Sequence, residues 1–219
     1  MHHVSATALP IPPARSTFGR RIASPSGGSS RSQAVRLHPT GDPWRTTVER
    51  FIADVYLRAY GARIPGFAPM LVSIADDHGI VAAAGWRSAS DPLYLERYLD
   101  APIDACIARS SGGMPPERAR IAEVGHLAAI RAGEGRRLMV RLGLHLASIG
   151  YRWVASTATP GVRATFERAG VHGIVLGPAT REAAGADGEA WGSYYASGPS
   201  VIAGELLPNL ARTLPRVLR

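Results

Sequence analysis

The stretch Ile121-Ala-Glu-Val-Gly-His-Leu-Ala-Ala-Ile130, which continues into Arg131-Ala-Gly-Glu-Gly-Arg-Arg-Leu138, decides the fold. Its first half is a largely apolar strand. From Gly135 onward, apolar residues recur at helical spacing until Gly150 ends the helix. A second strand follows at 153–158. Because a helical crossover joins the two strands, we predict that they are parallel neighbours.

The other elements follow from apolar periodicity and from turn residues. In chain order they are a helix at 48–59 that ends at Gly61, a hairpin of strands 70–74 and 80–84, a short helix at 103–108, a helix at 160–169, and strands at 174–176 and 194–195. Hairpins supply antiparallel pairs, and the crossover supplies a parallel one. We therefore expect an α/β fold with a mixed sheet and helices on both faces.

Length and composition allow one good-sized domain with a flanking segment at each end. The chain has 219 residues, of which 46% are hydrophobic. Residues 1–42 are rich in Pro, Ser and Arg, so we predict a disordered tail before a domain at 43–204. Residues 205–219 form a basic amphipathic segment that Pro208 and Pro215 interrupt. We predict that this segment docks on the protein's own sheet, with peripheral membrane contact as the alternative.

Charge and cysteine content exclude several classes of protein. The formal charge is +8, but all 25 basic residues are arginine. This bias reflects the base composition of the genome as much as selection for a polyanionic ligand. We therefore predict no nucleic-acid partner. Arginine does favour an anionic ligand or an acidic protein partner. The one cysteine, Cys106, excludes an internal disulfide and a cysteine-based zinc site. Without a long apolar run or a secretory signal, the chain is expected to be cytoplasmic.

Glu123 is the principal candidate for chemistry. A carboxylate within an apolar strand is costly unless it is paired, and partial burial raises its pKa towards the range of a general base. The alternative is structural: an ion pair with Arg87 or Arg120 that stabilises the sheet. The pattern leaves both interpretations open.

The loop after the Glu123 strand is a candidate anion site. It leads into a helix N-terminus, where free N–H groups and the helix dipole attract negative charge. Arg136 and Arg137 add positive charge there, unless both are ordinary solvated side chains. A carboxylate in a strand beside a phosphate-sized anion site suggests acyl transfer from a phosphopantetheine thioester.

Several other side chains have two interpretations. His126 is either a packed histidine or a ligand, and because no other histidine has ligand spacing we predict no metal site. Asp100 is a candidate contact for a substrate amine. Trp191, Tyr194 and Tyr195 belong either to the core or to a pocket.

Six spaced stretches carry a resemblance to a known family. They are Val48-Glu-Arg-Phe-Ile, Tyr60-Gly-Ala-Arg-Ile, Leu93-Tyr-Leu-Glu-Arg-Tyr-Leu-Asp-Ala-Pro-Ile, Glu123-Val-Gly-His-Leu-Ala, Trp153-Val-Ala-Ser-Thr-Ala-Thr and Trp191-Gly-Ser-Tyr-Tyr. Together they resemble the bacterial thermostable hemolysin family over residues 44–204. That family is related to GNAT-type N-acetyltransferases and to acyl-homoserine-lactone synthases, so the resemblance implies their centrally split, mixed sheet.

The resemblance also implies where the site lies. Glu123-Val-Gly-His126 occupies the place of the Glu-x-Ser-Arg strand motif of acyl-homoserine-lactone synthases, and its final Gly-His departs from that motif. The glutamate of the motif implies a base at Glu123. Residues 131–135 occupy the place of the pyrophosphate loop of acetyltransferases, although Glu134 and Arg136 stand where that loop has small residues.

These observations lead to the hypothesis of an acyl-thioester-dependent, GNAT-like acyltransferase that acylates a small amine or an amino-acid-like acceptor. Glu123 assists deprotonation of the nucleophile. No tightly bound cofactor is expected, and acyl-CoA or an acyl carrier protein is the co-substrate. The predicted donor contacts are Leu127, Ala128, Ile130, Arg131, Gly135, Arg136 and Arg137. The predicted acceptor contacts are Trp86, Arg87, Asp100, His126 and Tyr194.

The alternative hypothesis belongs to a different class: a directly membrane-active hemolysin without turnover, whose basic termini bind lipid. The domain at 43–204 shows the pattern of a packed domain without a pore-length amphipathic segment. This pattern favours the enzyme.

Overall fold

The computed structural model of the protein describes residues 35–217, with side chains to residue 214. The strands are β1 (Arg36–Pro39), β2 (Met70–Asp76), β3 (Gly79–Ser88), β4 (Ile121–Ala129), β5 (Trp153–Ala158), β6 (Ile174–Pro178) and β7 (Ser200–Glu205). The α-helices are α1 (Arg45–Tyr60), α2 (Ile103–Ser111), α3 (Glu134–Ser148), α4 (Pro160–Arg168) and α5 (Leu206–Val217). Short 3-10 helices include Tyr94–Tyr98, Gly185–Gly188 and Tyr194–Ser197.

The strands form one sheet in the order β1-β2-β3-β4-β5-β7-β6. β4 and β5 pair in parallel across the α3 crossover, and the other neighbours are antiparallel. The parallel pair and the β2–β3 hairpin both agree with the sequence pattern. The prediction of a mixed α/β sheet with helices on both faces is confirmed.

Side-chain alternation along β3 separates the two faces of the sheet. Ala82 and Ala84 pack in the cluster that contains α3, whereas Ala83 packs in the cluster that contains Val48 and Ile52 of α1. These residues are fully buried. Small side chains on β3 let both helices approach the sheet closely, and successive residues of a strand point to opposite faces.

The C-terminal segment forms one continuous helix, which differs from the predicted interruption. Pro208 lies in the first turn of α5, where its missing N–H leaves no helical hydrogen bond unmade. Leu206 and Leu210 pack on α3 at Gly143, where an added Cβ would lie 3.3 Å from Leu210 Cδ2. The segment therefore docks on a helix of the domain. Among the described residues no helix has both the length and the apolar character needed to cross a membrane.

The prediction of a strand at residues 194–195 is wrong. Tyr194 and Tyr195 begin a 3-10 helix, because glycines with φ values of 56° and 66° at 192 and 198 turn the chain on either side of it. The strand lies instead at β7, which inserts between β5 and β6. Aromatic residues favour strands only weakly, and this local geometry overrides the preference.

Four residues of the stretch that the sequence predicts as a tail form strand β1, so the folded part begins before residue 43. Residues 1–34 lie outside the described residues, but residues 36–39 form β1, which pairs with β2 at the edge of the sheet. β1 is short, and His38 is its one buried residue. The sequence therefore shows no alternation of apolar and polar residues that would predict a strand here. Its backbone pairing and the polar contacts of His38 hold it in place.

Candidate active site

The sheet splits between β4 and β5. The two strands pair only where residues 121–123 face residues 153–155. Beyond that point β4 continues along β3 and β5 continues along β7, so the two strands diverge. A cavity lies on each face of the sheet at this split, and Val124 lines both cavities.

The cavity on the α1 side has a volume of about 280 Å³ and mostly aromatic walls, and we call it the aromatic cavity. Its rings come from Tyr56 of α1, from the 3-10 helix Tyr94–Tyr98 and from the segment 191–195. Tyr94 and Trp191 meet edge to face with centroids 6.2 Å apart. Contacts of this kind form a rigid apolar wall.

Hydrogen bonds between side chains fix this wall. Trp191 Nε1 donates to the Tyr94 hydroxyl at 2.9 Å. The hydroxyls of Tyr98 and Tyr195 are 2.6 Å apart. Tyr194, a predicted acceptor contact, lines the cavity and donates to a backbone carbonyl of β5 at 3.2 Å. The hydroxyl groups of these four tyrosines, Tyr94, Tyr98, Tyr194 and Tyr195, are therefore hydrogen-bonded within the wall.

Arg97 and Asp187 also build the cavity, although sequence reasoning did not identify either residue. Arg97 donates to Asp187 at 2.9 Å and to the Ala184 carbonyl at 3.0 Å, and its guanidinium lies 3.7 Å from the centre of the Tyr94 ring. This contact joins two segments that are far apart in the chain. No local sequence pattern predicts this contact, because its two side chains are 90 positions apart in the chain.

Glu123 lies in the wall of the aromatic cavity with 11% of its side chain exposed. Its two carboxylate oxygens accept hydrogen bonds from the backbone N–H groups of Tyr94, at 2.8 Å, and Leu95, at 3.1 Å. Desolvation raises its pKa, while Arg87 and the two backbone hydrogen bonds oppose that rise. The carboxylate therefore anchors the 3-10 helix Tyr94–Tyr98.

Arg87 lines the same cavity, directly opposite Glu123 in the pairing of β3 with β4. Its Nε lies 3.6 Å from Glu123 Oε2, which is longer than a hydrogen bond. Within the described residues this is the one ion pair that Arg87 makes, and its side chain is 25% exposed. Its guanidinium therefore has donors available in the cavity, whereas that of Arg97 is already engaged.

A β-bulge brings His126 into the same cavity. The pairing of Gly85 with Gly125 is followed by that of Ala83 with Ala128, so β4 contains one extra residue here. His126 has φ 55° and is the one non-glycine residue with a positive φ in the described part of the chain. Residues 123 and 126 of a regular strand point to opposite faces, and the bulge reverses this relation.

The His126 ring is held between aromatic groups. Its centroid lies 5.5 Å from that of Phe67 and 6.2 Å from that of Trp191, with which it stacks. Nδ1 is buried without a hydrogen-bond partner among residues 35–214. Desolvation, followed by the charge of Arg87, lowers the pKa of His126 to about 4, while a backbone hydrogen bond with Gly66 acts in the opposite direction. The imidazole is therefore neutral near pH 7.

Two predicted acceptor contacts lie away from this cavity. Trp86 points to the opposite face of the sheet, where its ring meets Tyr151 at 5.4 Å. Asp100 has 72% of its side chain exposed and pairs with Arg109 at 2.7 Å. The described residues contain no group of three or more His, Cys, Asp or Glu side chains placed to hold a metal ion.

The second cavity, on the α3 side, has a volume of about 120 Å³ and we call it the apolar cavity. Its walls come from α3, α4, α5, β5 and β7 and include Leu142, Phe166 and Leu210. Arg136 and Arg163, near the starts of α3 and α4, also line it. The arrangement combines an apolar interior with cationic groups at two helix N-terminal regions.

The predicted donor contacts lie along the split and the loop after it. Residues 127 and 128 belong to the second half of β4, and Ile130 follows it with 40% exposure. The loop contains Gly133, with φ 87°, and Gly135 lies in the first turn of α3. Arg131 forms an ion pair with Asp76 at 2.7 Å, and Arg137 forms one with Glu134 at 3.1 Å. Arg136 is the predicted arginine that reaches a cavity.

A mixed sheet that splits centrally and is flanked by helices is the GNAT-like, N-acyltransferase fold. The protein belongs to the thermostable hemolysin family, whose sequence profile matches residues 38–209. No curated protein sequence matches the chain.

Solved structures of several proteins are similar in fold at low sequence identity. The chain is 18% identical to TofI, solved in a ternary complex with an inhibitor and MTA, with a TM-score of 0.56 and coverage of 84% of this chain and 96% of that one. BjaI, a CoA-dependent acyl-homoserine lactone synthase solved with SAM and isopentyl-CoA, is 13% identical, with a TM-score of 0.58 and coverage of 84% and 89%. FeeM, an N-acyl amino acid synthase from uncultured soil microbes, is 12% identical, with a TM-score of 0.54 and coverage of 85% and 97%.

Proposed function

We propose that the protein is an acyl-thioester-dependent acyltransferase that acylates the amine of a small, amino-acid-like acceptor. The observation that carries this proposal is the pair of cavities, both lined by Val124, on the two faces of the sheet at its split. One cavity is apolar and the other is aromatic and contains charged groups. The fold similarity to BjaI and FeeM, whose names record acyl transfer, supports this assignment.

The apolar cavity would bind the acyl group of the donor. Its leucine and phenylalanine walls suit an alkyl chain, because burial of each methylene contributes roughly 0.8 kcal/mol. Arg136 and the N-terminus of α3 would contact a phosphate of CoA or of a carrier protein's phosphopantetheine arm. Backbone N–H groups of residues 127–129 that point away from β3 would bind the thioester carbonyl and its oxyanion, whereas the N–H of Ile130 donates to the Val81 carbonyl of β3 at 3.1 Å.

The aromatic cavity would bind the acceptor. Arg87 offers donors to a carboxylate from a largely apolar site, where a charge-assisted pair is stronger than in water. The aromatic walls would contact an apolar or aromatic side chain. An amine that also carries a carboxylate therefore fits this cavity better than a simple alkylamine does.

The reaction would be a direct displacement on the thioester. The amine nitrogen forms a bond to the carbonyl carbon, the carbon–sulfur bond breaks, and the amine loses a proton as the thiolate gains one. The products are an amide and a free thiol. Glu123 would hold Arg87 and the 3-10 helix Tyr94–Tyr98 in place beside this centre.

Thiol release tests the proposal. Purified protein is assayed with acyl-CoA and acyl carrier protein donors of graded chain length, with pooled amino acids or with the matching decarboxylated amines. We expect amine-dependent release of thiol, with preference for carboxylate-bearing acceptors. Failure of every donor to release thiol in an acceptor-dependent way would overturn the assignment.

A matched pair of arginine variants tests the acceptor site. We expect Arg87→Gln to raise the KM for the acceptor about tenfold or more, since it removes a charge-assisted hydrogen bond, while the KM for the donor stays unchanged. The control is Arg120→Gln, because Arg120 is 44% exposed and pairs with Glu117. Equal acceptor KM values for the two variants would contradict the assignment of Arg87.

A further inference from the structure

We propose that the Tyr56 hydroxyl determines which acceptor the aromatic cavity selects, by forming a hydrogen bond with an uncharged polar group on the acceptor's side chain. The inference rests on the proposed acyltransferase function and specifies the class of acceptor. Besides its carboxylate and its reacting amine, this acceptor carries a hydroxyl or an amide. Tyr56 belongs to α1 and lines the cavity.

Tyr56 differs in its hydrogen bonding from the other tyrosines that line the cavity. Those tyrosines have hydroxyls that are bonded within the wall: Tyr94, Tyr98, Tyr194 and Tyr195. The Tyr56 hydroxyl makes no hydrogen bond with any described residue. Its ring is held by contacts with Tyr60 and Trp191, at centroid distances of 5.7 and 5.9 Å. The wall therefore fixes the ring and leaves the hydroxyl unused.

The Tyr56 oxygen is buried without being enclosed by protein. Among residues 35–214, the fully buried side-chain nitrogen and oxygen atoms without a partner belong to Trp86, His126 and Arg141. The Tyr56 oxygen also has no partner and is not one of these atoms, so it borders open space. Desolvation, followed by the proximity of Tyr60, raises the pKa of Tyr56 above its ordinary value of 10. That space is therefore the cavity, and the hydroxyl is neutral near pH 7.

A neutral hydroxyl restricts the chemistry of the group that can bind it. It offers one hydrogen-bond donor and two acceptor lone pairs, and it has no charge. A charged group would lose its hydration here without gaining an opposite charge from Tyr56. An alkyl group would displace water and leave the hydroxyl without a partner, which is costly in a buried site. An uncharged hydroxyl or amide avoids both costs.

The position of Tyr56 relative to Arg87 indicates how the acceptor would lie. Tyr56 packs against the apolar cluster that contains Ala83 and Ala128, whereas Arg87 lies opposite Glu123. Ala83 and Arg87 are four residues apart on β3, which is about 13 Å along a strand. The carboxylate at Arg87 and the polar group at Tyr56 would therefore occupy different ends of the cavity. The aromatic walls between them would cover the apolar part of the acceptor's side chain.

Matched pairs of acceptors test this assignment. Tyr56→Phe removes the oxygen and keeps the ring. Acceptor-dependent thiol release is measured for both proteins with threonine and valine, glutamine and methionine, and tyrosine and phenylalanine. We expect the wild type to prefer the polar member of the pair that it uses best. In Tyr56→Phe the KM for that polar member should rise about three- to tenfold, the usual worth of a neutral hydrogen bond, with the donor KM unchanged.

Tyr60→Phe is the matched control for acceptor preference. Tyr60 lies one turn further along α1 and lines neither of the two cavities, so this variant should keep the preference of the wild type. Preference of the wild type for apolar acceptors would overturn the proposal. A preference that Tyr56→Phe retains would also overturn it.

Urea unfolding separates recognition from a structural role. Tyr56→Phe should unfold at the same urea concentration as the wild type, because the lost oxygen bonds no described residue. Tyr194→Phe should unfold at a lower concentration, because it loses the hydrogen bond to the Thr157 carbonyl. Equal destabilisation of the two variants would assign the Tyr56 hydroxyl to the fold and refute its role in recognition. Absence of amine-dependent release by the wild type would instead refute the acyltransferase itself.

Discussion

The space around the His126 ring depends on the absence of a side chain at Gly85. A Cβ at Gly85 would lie 2.9 Å from Ala68 Cβ and 3.2 Å from His126 Nδ1. Both neighbours are packed, so they have little room to move. The glycine at 85 is required by this close approach on β3 and lies outside the positive-φ region.

We therefore expect Gly85→Ala to lower the free energy of unfolding by about 1–3 kcal/mol, the usual cost of overpacking. Gly125→Ala is the control, because an added Cβ there meets no atom within 4 Å and its φ is not positive. Urea denaturation of both variants measures the difference. Equal stability of the two would show that the contact at Gly85 is unimportant.

The burial of His126 also predicts a pH dependence of stability. Its folded pKa of about 4 lies below the ordinary value of 6.5, so the unfolded chain binds the proton more readily between these values. Stability should therefore fall as the pH drops from about 6.5 to about 4, by about 3 kcal/mol in total at roughly 1.4 kcal/mol per pKa unit.

Urea unfolding at a series of pH values checks this sign and size. His126→Asn lacks the titrating group but keeps Glu123 and Arg87, so the difference between the two proteins isolates the histidine. We expect the wild type to lose more stability than the variant over this window. Parallel curves would contradict a buried, neutral His126.

At the scale of elements, β1 is held to the sheet by a hydrogen-bonded relay. Asp42 lies 3.0 Å from His38 Nδ1, and His38 Nε2 lies 2.9 Å from Ser73 Oγ on β2. This is the order of groups in a serine hydrolase triad. Ser73 is 3% exposed and His38 is 1% exposed, however, and neither residue lines the two cavities at the split. The relay therefore fastens the edge strand.

We expect Ser73→Ala to lower the free energy of unfolding by about 1–3 kcal/mol, because it leaves a buried histidine nitrogen without its partner. Thiol release by the folded variant should be unchanged. Denaturation and the thiol assay measure the two quantities separately. Covalent labelling of Ser73 by a fluorophosphonate would contradict the structural role.

At the scale of the whole molecule, the candidate site lies where the pairing of β4 with β5 ends. Strands β4 and β5 are joined over three residues and then part, so the two cavities lie on opposite faces of a gap where the proposed donor and acceptor would meet. The helices α1 and α3, on opposite faces, form walls of the two cavities. The topology therefore creates the gap, and the side chains determine the chemistry of the cavity on each face.

Short-range patterns in the sequence predicted much of this architecture. The period of α1 and α3, the β2–β3 hairpin and the crossover between β4 and β5 all follow from apolar spacing and turn residues, since these signals act over a few residues. The same pattern identified Glu123 as a carboxylate buried in a strand, and burial does raise its pKa. Short-range signals failed at β1 and β7, whose partners lie elsewhere in the chain.

The sequence by itself determined the principal helices, the β2–β3 hairpin, the crossover between β4 and β5, and the presence of Glu123 and His126 on one strand. Only the tertiary structure decided the surroundings of these two side chains. The backbone of residues 94 and 95, almost 30 positions upstream, occupies the Glu123 carboxylate, and a bulge against β3 turns His126 into the same cavity. A bulge reverses which face a side chain occupies, and it arises from pairing with a neighbouring strand. Local periodicity carries no information about that pairing.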